Sequence, residues 1–230
     1  MVWGDQGDEE NSEKTRERRQ LIGHAIYTLR KLSKSFDKLF TRLHNSDSEF
    51  TVSFGDLRGS EGQFRRARET VFDLDENGEP VGYDEFGSAL ENPNPNTGGD
   101  IRFDLAEIDR EGLNVEDVAP EEFGHAYQHL FYTNGKFENY LKTPPSGNYE
   151  FEGQMISGII KNQSGIRLHP NYGATRFAEQ YGIKFNLRKF GIKLDEWYDR
   201  SDNFYRTFYN APIDKSRMPS ALLKLKNKKR

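Results

Sequence analysis

The sequence predicts an α+β fold: a long N-terminal helical layer, a small and mostly antiparallel sheet, and a functional helix packed beneath that sheet. Three observations carry this expectation. Apolar residues recur at three- and four-residue spacing from Asn11 to about His44. Between Glu49 and Asp104, short alternating segments are divided by Asn, Pro and Gly. Helical spacing then returns from Val115 onwards.

The first helix is carried by Leu21, Ile22, Ala25, Ile26, Leu29, Leu32, Phe36, Leu39, Phe40 and Leu43, with a break expected near Ser33. Glu49 to Phe54 alternates as a strand does. Thr70–Asp75 and Pro80–Phe86 flank Asn77-Gly78, a strong short-range hairpin signal. Ile101 to Asp104 is a further extended segment, after a loop rich in Asn, Pro and Gly. Val115 to Tyr132 reads as a helix with Pro120 placed in its first turn. Further helices are expected over Asn148–Lys161, with Asn148 as N-cap, and over Asn171–Tyr181; Gly182 to Arg206 is ambiguous. The expected organisation is a flexible junction over residues 1–10, one α+β domain over 11–214 and a frayed, solvated basic tail over 215–230.

At 230 residues the chain can bury one substantial core. With 34% hydrophobic and 30% charged residues, much of it must be solvated, and its 17 Phe and 11 Tyr point to an aromatic interior. A net charge of −4 argues against a general nucleic-acid binder. With no cysteine, disulfides, thiolate nucleophiles and Cys-ligated zinc are excluded. No signal peptide and no membrane span is expected, because the chain lacks an apolar h-region and any run of about 18 apolar residues.

The stretch Ala119-Pro120-Glu121-Glu122-Phe123-Gly124-His125-Ala126-Tyr127-Gln128-His129 carries the chemistry. It reads as the zinc-hydrolase helix pattern H-E-x-x-H with Glu121 in place of the first histidine. On a helix Glu121 and His125 share one side, one turn apart, and Glu122 is offset by about 100°. Such a centre needs three protein ligands and a base for the water's proton. Glu121 and His125 are therefore the expected metal ligands and Glu122 the general base. The third ligand is expected to be Glu152, on the apolar face with Met155, Ile156, Ile159 and Ile160, because a buried carboxylate needs a partner. Glu150 is the second choice. His129 is kept as a neighbour that could bind substrate, and Tyr127 or His129 as help at an oxyanion. Zinc is the expected ion, although two acidic ligands also suit manganese.

A rival pattern, Asp73-Leu74-Asp75-Glu76-Asn77-Gly78 with Asp84, has calcium-loop spacing. Its flanks read as strands, and Pro80 interrupts it, so a hairpin explains it more simply. No phosphate-binding glycine loop, nucleophile elbow or RNA-binding signature is present, and His169 is a loop residue of minor promise.

The N-terminal Val2-Trp3-Gly4-Asp5 is similar to the segment just beyond the conserved end of an Rhs-repeat core. The body resembles Rhs-associated polymorphic toxin C-terminal domains that carry an E-E-x-x-H-A-x-Q or H-E-x-x-H helix between an extended segment and an E-x-E segment. Here these are Asp100–Asp104, Glu121–Gln128 and Glu150–Glu152. The resemblance implies a zincin-like metallopeptidase effector, cytoplasmic before export and delivered into a target cell by the Rhs core or secretion apparatus. It further implies a protein substrate there and a cognate immunity protein at home. Two other classes stay open: a nuclease toxin acting through His125, His129 and the basic tail, and a non-catalytic interaction module.

Overall fold

A computed structural model describes residues 1–3, 13–68, 70–75, 79–93, 97–136, 139, 142–167, 173–181 and 187–226. Its elements in chain order are β1 (Val2–Trp3), α1 (Glu13–Leu32), α2 (Lys34–His44), β2 (Phe50–Phe54), β3 (Gly62–Arg66), β4 (Thr70–Phe72), β5 (Glu91–Pro93) and β6 (Gly99–Phe103). The helices α3 (Leu105–Arg110), α4 (Val115–Thr133), α5 (Ser146–Ser164), α6 (Gly173–Tyr181), α7 (Leu187–Phe208) and α8 (Ser220–Lys226) come next. The fold is α+β, as expected. Residues 4–12, the Asn77-Gly78 turn, His169 and the last four residues of the tail lie outside the described residues.

The main sheet has the order β1-β2-β6-β3 and is mixed rather than mostly antiparallel. β1 and β6 both run parallel to β2, and β3 runs antiparallel to β6. Parallel neighbours need a crossover connection, which α1 and α2 supply between β1 and β2. α1 and α2 are divided at Ser33, whose hydroxyl accepts the Phe36 N–H at 3.1 Å as the N-cap of α2. β6 enters between β2 and β3 through Gly99 at φ +143°, where a Cβ would stand 2.5 Å from the Arg65 carbonyl oxygen. Asp104 then caps α3 by accepting the Ala106 and Glu107 N–H groups at 3.1 Å.

β4 pairs antiparallel with β5, and Leu74 bridges Pro80 across the expected turn. Among the described residues the carboxylates of the calcium pattern are not brought together. Asp75 accepts the Glu79 N–H at 2.9 Å, and Asp84 accepts Phe86 and Ser88 N–H in a separate turn. Pro120 is the sixth residue of α4, in its second turn rather than its first. α4 begins instead at Asn114, whose N–H donates to Asp117 at 2.8 Å.

α4 packs against α5, the sheet, α1, α2 and α8, and α5 is buried from Gly147 to Ile160 with only Glu150 less covered. α5 starts two residues before Asn148. That side chain is no N-cap; it brackets Asp214, accepting its N–H at 2.8 Å and donating to its carbonyl at 2.9 Å. The core is aromatic, with Phe36, Phe50, Phe103, Phe123, Phe151 and Phe177 fully buried, and Phe151 meets Tyr198 edge-on at 5.0 Å. The tail is not frayed over 220–226: α8 buries Ala221, Leu222 and Leu225. No described helix is long and apolar enough to cross a membrane.

Candidate metal centre

One turn of α4 brings Glu121 and His125 to the same side, and α5 brings Glu150 against them. Their ligand atoms lie within 4.8 Å of one another, the only such group among the described residues. His125 Nε2 is 3.4 Å from Glu150 Oε2. The ring stacks on Tyr149, with centroids 5.2 Å apart and planes 7° apart, and the Tyr149 hydroxyl donates to the His125 carbonyl at 2.7 Å. A Cβ at Gly153 would stand 2.4 Å from His125 Cε1, so glycine leaves the space the imidazole needs.

Glu122 turns from this group toward β3. The Phe64 N–H reaches its carboxylate, and Gly62 makes room, since a Cβ there would stand 2.9 Å from Glu122 Cγ. Burial raises the Glu122 carboxyl to about 7, reinforced by Glu121 and Glu150 and opposed by His125 and the Phe64 N–H. Burial also raises Glu121, against the pull of His125 and Lys161. For His125 burial acts downward, but the Glu150 charge and hydrogen bond, with Glu122 and Glu121, outweigh it and lift the imidazole to about 10. Burial acts upward on Glu150, yet His125 and Arg66 hold it below the usual carboxylate range.

The third carboxylate at the group is thus Glu150 and not Glu152. Two residues along a helix is a rotation of about 200°, so the two glutamates leave α5 on opposite sides. Glu152 is 1% exposed and finds its partners elsewhere: Leu222 N–H at 3.0 Å, and the Tyr132 hydroxyl and Gln128 Nε2 at 2.9 Å. Its pKa is raised by burial, with those donors opposing.

Tyr127 lies away from the group for the same rotational reason. Arg42 donates to its hydroxyl, which in turn faces the Ala221 carbonyl at 3.3 Å, and burial raises it to about 12. His129 is fully buried beside Phe64, with Nδ1 3.2 Å from the Thr133 hydroxyl. Burial and then Arg66 lower it to about 4, so it is neutral at pH 7. Neither is positioned to act at an oxyanion or on substrate.

Sequence reading missed Gln128, Tyr149, Gly153 and Arg66. Gln128 was legible as the residue three beyond His125, hence on its side of the helix. Arg66, whose guanidinium lies 5.1 Å over the Tyr149 ring, sits on β3, a strand of little apolar alternation that gave no signal.

Three carboxylates crowd one imidazole in a partly buried place, an arrangement that could hold a divalent cation. Glu121, His125 and Glu150 fit such an ion in donor type, number and proximity. Comparison with protein-family models, curated proteins and solved structures returns no match to this chain.

Proposed function

We propose that this protein is a metal-dependent amide hydrolase, a zincin-like metallopeptidase in which Glu121, His125 and Glu150 hold the ion and Glu122 is the general base. The observation that carries this reading is the meeting of those three ligand atoms within 4.8 Å, with the Glu122 carboxyl, of raised pKa, on the next residue of α4 and near enough to feel the charges of all three. Zinc is the proposed ion, and the two carboxylates make the set hard enough to suit manganese too. When bound, such an ion polarises an amide carbonyl and acidifies water.

The chain's own residues do the rest. Glu122, with a pKa of about 7, accepts a proton from water near neutral pH and returns it to the departing amine. Tyr149 stacks on the His125 ring and Gly153 leaves it space, and together they keep Nε2 on the side of Glu150, 3.4 Å away. Arg66 helps keep Glu150 ionised.

The wider role we propose is that of an effector toxin carried with an Rhs core, cytoplasmic before export, acting on a protein in the target cell and restrained by an immunity protein. That role rests on Val2-Trp3-Gly4-Asp5 and on the E-E-x-x-H-A-x-Q and E-x-E segments. The nuclease alternative gains nothing from His129, which is sealed in the core.

The test is metal content and toxicity together. Purified protein is expected to bind one divalent ion per chain. Glu122→Gln keeps that ion but loses toxicity in a target cytoplasm, and His125→Ala loses both. Protein without a stoichiometric ion, together with a Glu122→Gln variant as toxic as the parent, would sink the proposal.

A further inference from the structure

A histidine ligates through whichever ring nitrogen lacks a proton, and the partner of the other nitrogen decides which one that is. We infer that Gln128 and Glu152 are positioning residues that keep the proton of His125 on Nδ1 and so leave Nε2 facing Glu121 and Glu150, with the first turn of α8 as their anchor. This inference rests on the reading of Glu121, His125 and Glu150 as a metal centre.

The hydrogen bonds run in one direction. Leu222 N–H and the Tyr132 hydroxyl donate to Glu152, and so does Gln128 Nε2. The same Gln128 nitrogen donates to the Tyr149 carbonyl at 2.8 Å. Both hydrogens of the amide are therefore committed, and its oxygen is what faces His125 Nδ1 at 2.9 Å. Turning the amide over would set its oxygen against a carbonyl and a carboxyl oxygen. The Tyr149 carbonyl enforces this orientation whatever the charge on Glu152. An acceptor at Nδ1 requires a hydrogen there, so Nε2 is the nitrogen that can give up its proton to a ligand.

The burial of Glu152 is explained without a metal. One of its oxygens caps α8, since Leu222 is the third residue of that helix. The other holds the amide that orients the ligand. The C-terminal helix is thereby tied to Glu152 across 70 residues of sequence, and through Gln128 to His125.

The experiment uses full-length protein with 15N-labelled histidine, loaded with zinc. Long-range 15N–1H correlation spectra read the tautomer, chelator competition reads the affinity, and circular dichroism reads the fold. The parent is expected to carry its His125 proton on Nδ1. Gln128→Leu and Glu152→Gln are each expected to bind zinc about 10–100-fold more weakly with an unchanged fold. In Glu152→Gln one of the donors, Leu222 N–H or the Gln128 amide, meets another donor. The exchange Gln128→Glu with Glu152→Gln should recover affinity in part, because the carboxylate introduced at 128 accepts from Nδ1 and the amide introduced at 152 donates to it; the recovery stays partial because the Tyr149 carbonyl loses its donor. A purely structural role for the pair would not give that recovery. A parent protonated on Nε2, or single variants with parental affinity, would overturn the inference.

Should the single variants not fold, the parent's tautomer alone decides. Should the parent take up no zinc, the metal reading fails by itself. The relay is then read in the metal-free protein as a hydrogen-bonded Nδ1–H signal expected in the parent and lost in Gln128→Leu; its absence from the parent would overturn the relay separately.

Discussion

At the scale of single residues, the site is governed by the cost of burying charge. In chelator-treated protein Glu122 and His129 respond to acid in opposite senses. The folded pKa of Glu122, about 7, lies above its ordinary 4.5, so its protonation adds stability as pH falls from 7 toward 4.5. The folded pKa of His129, about 4, lies below its ordinary 6.5, so stability is lost as pH falls from 6.5 toward 4. Relative to the parent, His129→Leu should gain stability on acidification, by an amount approaching about 3 kcal/mol at pH 4. Glu122→Gln should show the reverse, by less, since Glu122 keeps some contact with solvent. Urea midpoints between pH 4 and 7.5 check both, and parallel curves for the two variants and the parent would refute the assignment. Gly153→Ala is a steric counterpart. The added methyl would stand 2.4 Å from His125 Cε1, so the ring must move, and we expect about 1–3 kcal/mol of lost stability together with weakened zinc binding in a calorimeter.

At the scale of elements, what was legible depended on whether a helix has one buried face or many. α1 and α2 each keep a solvated side, so their apolar stripe and the break at Ser33 stood out in the sequence. The helical motif of α4 was legible too, because Glu121 and His125 depend only on local spacing. α5 was different. With burial running from Gly147 to Ile160, periodicity does not fix its rotation, and so it could not decide between Glu150 and Glu152. A buried glutamate needs a partner, as the sequence implies, but its partners are Gln128 and Tyr132 of α4 and an amide of α8, far along the chain. β3 and the parallel pairing of β1, β2 and β6 are likewise set by contacts between distant segments. The basic tail hid α8 because its lysines dominate the composition while Ala221, Leu222 and Leu225 do the packing. Leu222→Ala should therefore cost about 2–5 kcal/mol in a denaturant titration; a solvated tail would give no change.

At the scale of the whole molecule, the sheet, α4 and α5 bring three carboxylates and an imidazole to one place, and α8 secures the arrangement from behind. Such a concentration of ionisable groups is costly in the metal-free protein, and on the proposed reading a cation relieves it. Zinc should accordingly raise the melting temperature of the parent, and His125→Ala should abolish that rise. The most direct measurement of the central claim is anomalous diffraction at the zinc edge from crystals of zinc-loaded protein. The account predicts a single peak about 2.0–2.2 Å from a Glu121 oxygen, His125 Nε2 and a Glu150 oxygen, with Glu152 still bonded to Leu222 and Gln128. A peak ligated by Glu152 or His129, or no ordered peak near α4, would contradict it.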